Sequence, residues 1–192
     1  MFIGKEGGLI RSCVLTQESM SSQHFCLFRP SVSNESYSLA WIKGYLWILT
    51  ATTIWQVNTL IPKVWTFINN KPKDLVPPMI TDGQYFYCIR IKNRTPEIHV
   101  FSFNGTDFIH EKHIKLASQF TPLSEHKLVC ATDGGVITFM IPKGKDSIFR
   151  VYSLATGKLL YEKSTDFTPT LCWCTRPFSN QHIVITQTHI DI

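Results

Sequence analysis

The chain has 192 residues, 44% of them hydrophobic, 12% aromatic and 17% charged, which is enough length for a real core and too apolar for a mainly disordered chain. Its net charge is +5, from 19 Lys and Arg against 14 Asp and Glu, but the basic residues are scattered. The densest groups are Lys71 with Lys73, Arg90, Lys92 and Arg94, and Lys143 with Lys145. They fall at expected turns or strand ends and lack the interleaved aromatic platforms of a nucleic-acid surface, so they read as solvated turns.

The first residues, Met1-Phe-Ile-Gly-Lys-Glu-Gly-Gly, lack a basic start followed by an apolar run. No uncharged apolar stretch nears the about 18 residues that span a bilayer. Neither secretion nor membrane insertion is expected, and the reading places the chain inside the cell, in the cytoplasm. On that ground Cys13, Cys26, Cys88, Cys130, Cys172 and Cys174 read as reduced thiols, four of them in apolar strand patterns.

Residues 1–36 read as N-terminal strands and a linker, with 9–28 able to serve as the closing strands of an earlier unit. From residue 37 one order of features recurs, a turn and then a short apolar strand. These anchors are Gly44–Leu49, Gly83–Ile89, His126–Ala131 and Gln181–Ile185. A second strand follows each of the first three, Ile54–Thr59, Val100–Gly105 and Val151–Gly157, and aligning Trp55, Phe101 and Tyr152 gives spacings of 46 and 51. The stretch Pro142–Ser147 is read as an extra turn that lengthens the second spacing. A third strand follows in each, Lys63–Ile68, Phe108–Ile114 and Lys158–Lys163. Asn104-Gly105 and Thr156-Gly157 supply residues that tolerate positive φ at the connecting hairpins. No window shows a 3.6-residue apolar period, and prolines punctuate the chain between strands, so helix is expected to be scarce.

Antiparallel units repeating at roughly 40–50 residues with no helix between them predict an all-β fold of propeller blades, because every blade faces the same packing problem on both faces. A β-sandwich or barrel is the alternative. The expected organisation is a blade at 37–76, a second at 77–118, a third at 119–168 and an incomplete one at 169–192. The strand order and the stretch Phe149–Leu160 resemble the WD40 and kelch class of propeller repeats, the latter stretch looking like the outer hairpin of such a blade. The chain has no Trp-Asp pair closing a blade and no Gly-His pair opening one, and the double glycine of kelch blades occurs only at Gly134-Gly135. Propellers hold about four to eight blades. Three blades and a fraction therefore point to a fragment or short form of a larger protein.

Chemistry is sparse. His110-Glu111-Lys112-His113 resembles the zinc pattern of two histidines one helical turn apart, but it is one residue short and lies in a strand. Residues three apart on a regular strand point to opposite faces, so His110 and His113 are not expected to share a metal. Cys172 and Cys174 flank Trp173 as core packing. No phosphate-binding glycine loop and no nucleophile elbow occur, and Asp82, Asp107, Asp133 and Asp146 are turn aspartates. Trp41, Trp47, Trp55, Trp65 and Trp173 read chiefly as blade packing. No catalytic, cofactor or metal residue is assigned and no cofactor is expected.

The function expected is a non-catalytic module that binds a protein partner, such as the recruiting part of a ubiquitin ligase. The alternative is an enzyme, a hydrolase or oxidoreductase, with a site at a central channel that uses His99, Asp133 and missing blades. Lipid or nucleic-acid binding through Arg90, Lys92 and Arg94 is a third reading.

Overall fold

The structure, a computed structural model of the full chain, describes residues 2–6, 9–13, 25–28, 37–58, 65–68, 70–119, 129–132, 134–143, 146–166, 171–175, 182–185 and 190–191, with side chains described only within 38–166. All the elements among them are strands. Residues 1–35 form one compact unit, a three-stranded sheet of β1 (Phe2–Glu6), β2 (Leu9–Cys13) and β3 (Phe25–Phe28).

Residues 36–192 form the other unit, which holds four sheets in chain order. The first has β4 (Tyr37–Ile42), β5 (Tyr45–Thr50), β6 (Ile54–Asn58) and β7 (Trp65–Phe67). The second has β8 (Met79–Thr81), β9 (Phe86–Lys92), β10 (Thr95–Phe103) and β11 (Phe108–Lys115). The third has β12 (Val129–Thr132), β13 (Val136–Lys143), β14 (Asp146–Ser153) and β15 (Leu159–Thr165), and the fourth β16 (Leu171–Thr175), β17 (His182–Ile185) and β18 (Ile190–Asp191). Each is an antiparallel meander of strands in chain order. Lys43-Gly44 has φ of 49° and 81°, and Asn93-Arg94 has 51° and 65°, two-residue loops with positive φ at both positions. Such turns match the right-handed twist of the strands they join.

The strand patterns follow from burial on two sides. In β9 the run Phe86-Tyr87-Cys88-Ile89 is buried throughout, because alternate residues go to opposite neighbours. Phe86 and Cys88, with Phe101 of β10, pack with Ala40, Ile42, Trp47, Leu49 and Ile54 of the first sheet. Tyr87 and Ile89, with Ile98, Val100 and Ile114, pack on Ile137, Phe139, Ile141 and Tyr152 of the third and on Leu154 in its β14–β15 turn. Each such large side chain stabilises the fold by roughly 1.5–3 kcal/mol relative to exposure. The second sheet is thus covered on both faces, and the first strands β4, β8, β12 and β16 neighbour one another in that order. Sheets succeeding one another around a line of inner strands are blades of a propeller-type arc; a sandwich would oppose only two sheets.

Two details of the sequence alignment need correction. The anchor at His126–Ala131 does not fall on the strand that the other anchors occupy: Gly44–Leu49 and Gly83–Ile89 lead into the second strands β5 and β9, whereas Val129–Thr132 is the first strand β12. The true counterpart is β13, which follows the turn at Gly134-Gly135. Nor is Pro142–Ser147 an inserted turn. It is the hairpin of β13 and β14, paired through Lys143↔Asp146, and it corresponds to Lys92↔Thr95 between β9 and β10.

Candidate functional site

Two features of the second sheet could do chemistry or recognition. The first is a cavity of about 340 Å³ between the first and second sheets, lined by Ile42, Lys43, Tyr45, Trp47, Gln56, Gln84, Phe86, Phe103, Asn104 and Gly105. The β4–β5, β8–β9 and β10–β11 connections all end there, which gathers loop residues of three hairpins at one end of the stack. Its inner wall is aromatic. Trp47 is 2% exposed and meets Phe86, Phe103 and Phe108 edge to face, with centroids 5.1, 4.9 and 5.6 Å away. The Trp47 Nε1–H finds no hydrogen-bond acceptor among the described residues, although a buried indole usually has one.

The loops around the cavity are held by their own polar groups. Asp82 Oδ1 accepts the backbone N–H groups of Gln84 and Tyr85, each at 2.8 Å, and Oδ2 accepts the Tyr87 hydroxyl at 2.7 Å. Asn104 Oδ1 accepts from Thr106 and Asp107 N–H at 2.9 and 2.8 Å. The reading of Asp82 as a turn residue is thus matched by its bonds.

The second feature is a histidine patch on β10 and β11. The pairing of these strands shifts between Val100 and Phe101, so that Val100 faces Lys112 but Phe101 faces His110, and Glu111 is the extra residue. This bulge overturns the expectation that His110 and His113 point to opposite faces, because one extra residue reverses the alternation. His99 Nδ1 lies 3.3 Å from His110 Nε2, and its ring stacks on His113 with centroids 4.6 Å apart and planes 18° from parallel. His113 Nε2 is 3.3 Å from Glu97 Oε2, and Lys115 Nζ is 3.9 Å from Glu97 Oε1. Burial holds His99 below the usual imidazole range; the Asp74 carboxylate opposes this, and the His113 and His110 rings add to it.

The other sequence candidates are not drawn together. His99 lies on the third strand of its sheet, two strands out from β8, so it does not sit at the inner edge as an enzyme site at a central channel would need. Asp133, and the side chains of Cys172, Trp173, Cys174 and Trp65, lie outside the described residues. Arg90 is a half-buried residue within β9, opposite Glu97, while Lys92 and Arg94 are exposed at the hairpin end. Of the tryptophans with described side chains, Trp47 and Trp55 pack, the latter on Phe67, and Trp41 is 41% exposed. No helix among the described residues is long and apolar enough to cross a membrane.

Four stacked antiparallel meanders with first strands side by side define a chain of β-propeller blades. In agreement, the chain is similar to one in the crystal structure of a nidogen/laminin complex, with a TM-score of 0.55 and 14% sequence identity, over 93% of this chain and 67% of that one. That likeness is one of fold. No protein-family model and no curated protein matches the sequence.

Proposed function

We propose that this chain is a non-catalytic protein-binding module of the propeller class, and that the cavity between its first two complete blades is where a partner docks. The observation that carries the reading is the cavity itself: an aromatic wall within a rim of Lys43, Gln56, Gln84 and Asn104. An apolar side chain from a partner segment would fill the aromatic end, and the polar rim would hold the segment's backbone. Aromatic anchors within a polar rim are the usual anatomy of a binding hot spot.

The resemblance of Phe149–Leu160 to the outer hairpin of a WD40 or kelch blade supports the same reading, since the stretch forms the hairpin of β14 and β15. Within a larger protein, such as a ubiquitin ligase, the module would recruit the partner or substrate. An intracellular setting fits the thiols, Cys88 and Cys130 being free.

The test compares proteins retained from cell extract by the full chain with those retained by a Gln56→Arg/Gln84→Arg variant, which crowds the rim and leaves the aromatic core intact. A defined set of proteins held by the first and lost by the second supports the reading. An unchanged set moves recognition away from the cavity, and no retention above background overturns the function.

A further inference from the structure

We propose that Glu97, His99 and His113 form a binding site for a divalent transition metal, zinc foremost, with His110 positioning His99. The inference is independent of the cavity and of its partner. The three side chains offer one carboxylate oxygen and two imidazole nitrogens, all within 4.8 Å of one another. Imidazole and carboxylate together suit zinc, copper or nickel better than calcium or magnesium, which prefer oxygen alone.

The geometry is close to what an ion needs. Zinc bonds of about 2.0–2.2 Å to nitrogen and oxygen set ligand atoms about 3.4 Å apart in a tetrahedron. The 3.3 Å between His113 Nε2 and Glu97 Oε2 already meets that spacing. The ligand atoms of all three residues already lie within 4.8 Å of one another, so small shifts of the exposed His113 and of Glu97 toward the His99 ring close the site. With Nδ1 engaged by His110 Nε2 at 3.3 Å, His99 binds through Nε2, and the second imidazole fixes its orientation as outer-shell partners do at metal centres. Three protein ligands leave a fourth position for water or a group from a partner. Lys115 opposes the ion, but its side chain is 69% exposed and 3.9 Å from Glu97, so it swings away at little cost.

His110 and His113 are exposed. Three imidazoles gather on one face of the hairpin beside the Glu97 carboxylate.

The experiment uses the full chain, stripped of metal with a chelator and titrated with Zn²⁺ against a competing chromophoric chelator. One ion is expected to bind per chain at this site. His99→Ala/His113→Ala is expected to weaken that binding by more than the about 10–100-fold typical of losing an outer-shell partner, and His110→Ala by a factor within that range. Zn²⁺ should raise the melting temperature of the wild type and not that of the double variant, whose metal-free urea midpoint stays near the wild-type value and shows that it folds. Cobalt(II) provides a second readout, because nitrogen and oxygen ligands give visible bands without the near-ultraviolet sulfur band of a thiolate site. Undiminished binding by the double variant, a sulfur band, or failure of the wild type to saturate would each overturn the site.

Discussion

Replacing Gly157 by Ala tests whether the third sheet is seated on the second as closely as the structure shows. Gly157 ends the β14–β15 turn with φ of 68°, and its carbonyl accepts the Ala117 N–H at 3.0 Å while its own N–H donates to the Ser153 carbonyl at 2.8 Å. A Cβ there would overlap the Lys115 carbonyl oxygen and lie 3.4 Å from Ile114 Cγ2. The obstacle is backbone, which cannot swing aside as a side chain can. Left-handed φ costs an L-residue roughly 1–2 kcal/mol. Displacing the turn weakens two hydrogen bonds worth about 0.5–1.5 kcal/mol each, so a loss of about 3 kcal/mol is expected. Gly44→Ala is the control: its φ is 81° but no atom lies within 4 Å of an added Cβ, and about 1 kcal/mol is expected from strain alone. Urea unfolding followed by tryptophan fluorescence gives both values. Equal losses in the two variants would refute the close approach of the two sheets at this turn.

Cys88 is buried and its thiol is pushed up to about 12 by burial, so an alkylating reagent at pH 8 should label it only after unfolding, as peptide mapping by mass spectrometry would show. The folded value lies above the ordinary 9.0, so this group's contribution to stability is intact below that pH and falls as pH rises from about 9 to 12; a urea midpoint unchanged across that range would contradict the assignment. Asp82→Ala removes the acceptor of three hydrogen bonds and should cost about 2–3 kcal/mol in urea unfolding, against about 1 kcal/mol for Tyr87→Phe; similar losses would mean that the turn bonds contribute little. Leu160 is 58% exposed and is the residue passed over where β14 pairs with β15, Val151 facing Tyr161 and Tyr152 facing Leu159. Leu160→Glu should therefore shift stability by no more than about 0.5 kcal/mol, and a larger loss would place that side chain in the core.

Much of the fold could be read from residue order. The apolar strand runs, the turn pairs and the recurring aromatic at Trp55, Phe101 and Tyr152 are local signals, and strands such as β5 and β9 carry apolar residues at successive positions because they are buried on both sides. The positive φ of Gly105 and Gly157 was equally local, since glycine adopts it at no steric cost. Strand identity within a sheet was less legible. Val129–Thr132 and Val136–Lys143 are both short apolar runs after turns, and only their hydrogen-bonded order shows which comes first.

The cavity and the histidine patch were set by tertiary structure. Trp47, Phe86 and Phe103 come from three different strands of two sheets, so no spacing along the chain relates them. The patch depends on a single extra residue. Counting back from Phe103↔Phe108 in a regular hairpin would set His99 against Lys112; the bulge sets it against His113 instead. The reason lies in the neighbouring sheets: Phe108 packs toward the first sheet and Ile114 belongs to the core shared with the third, and an unbroken alternation would send both to the same side. Packing on two sheets at once requires the reversal, and the reversal gathers the histidines.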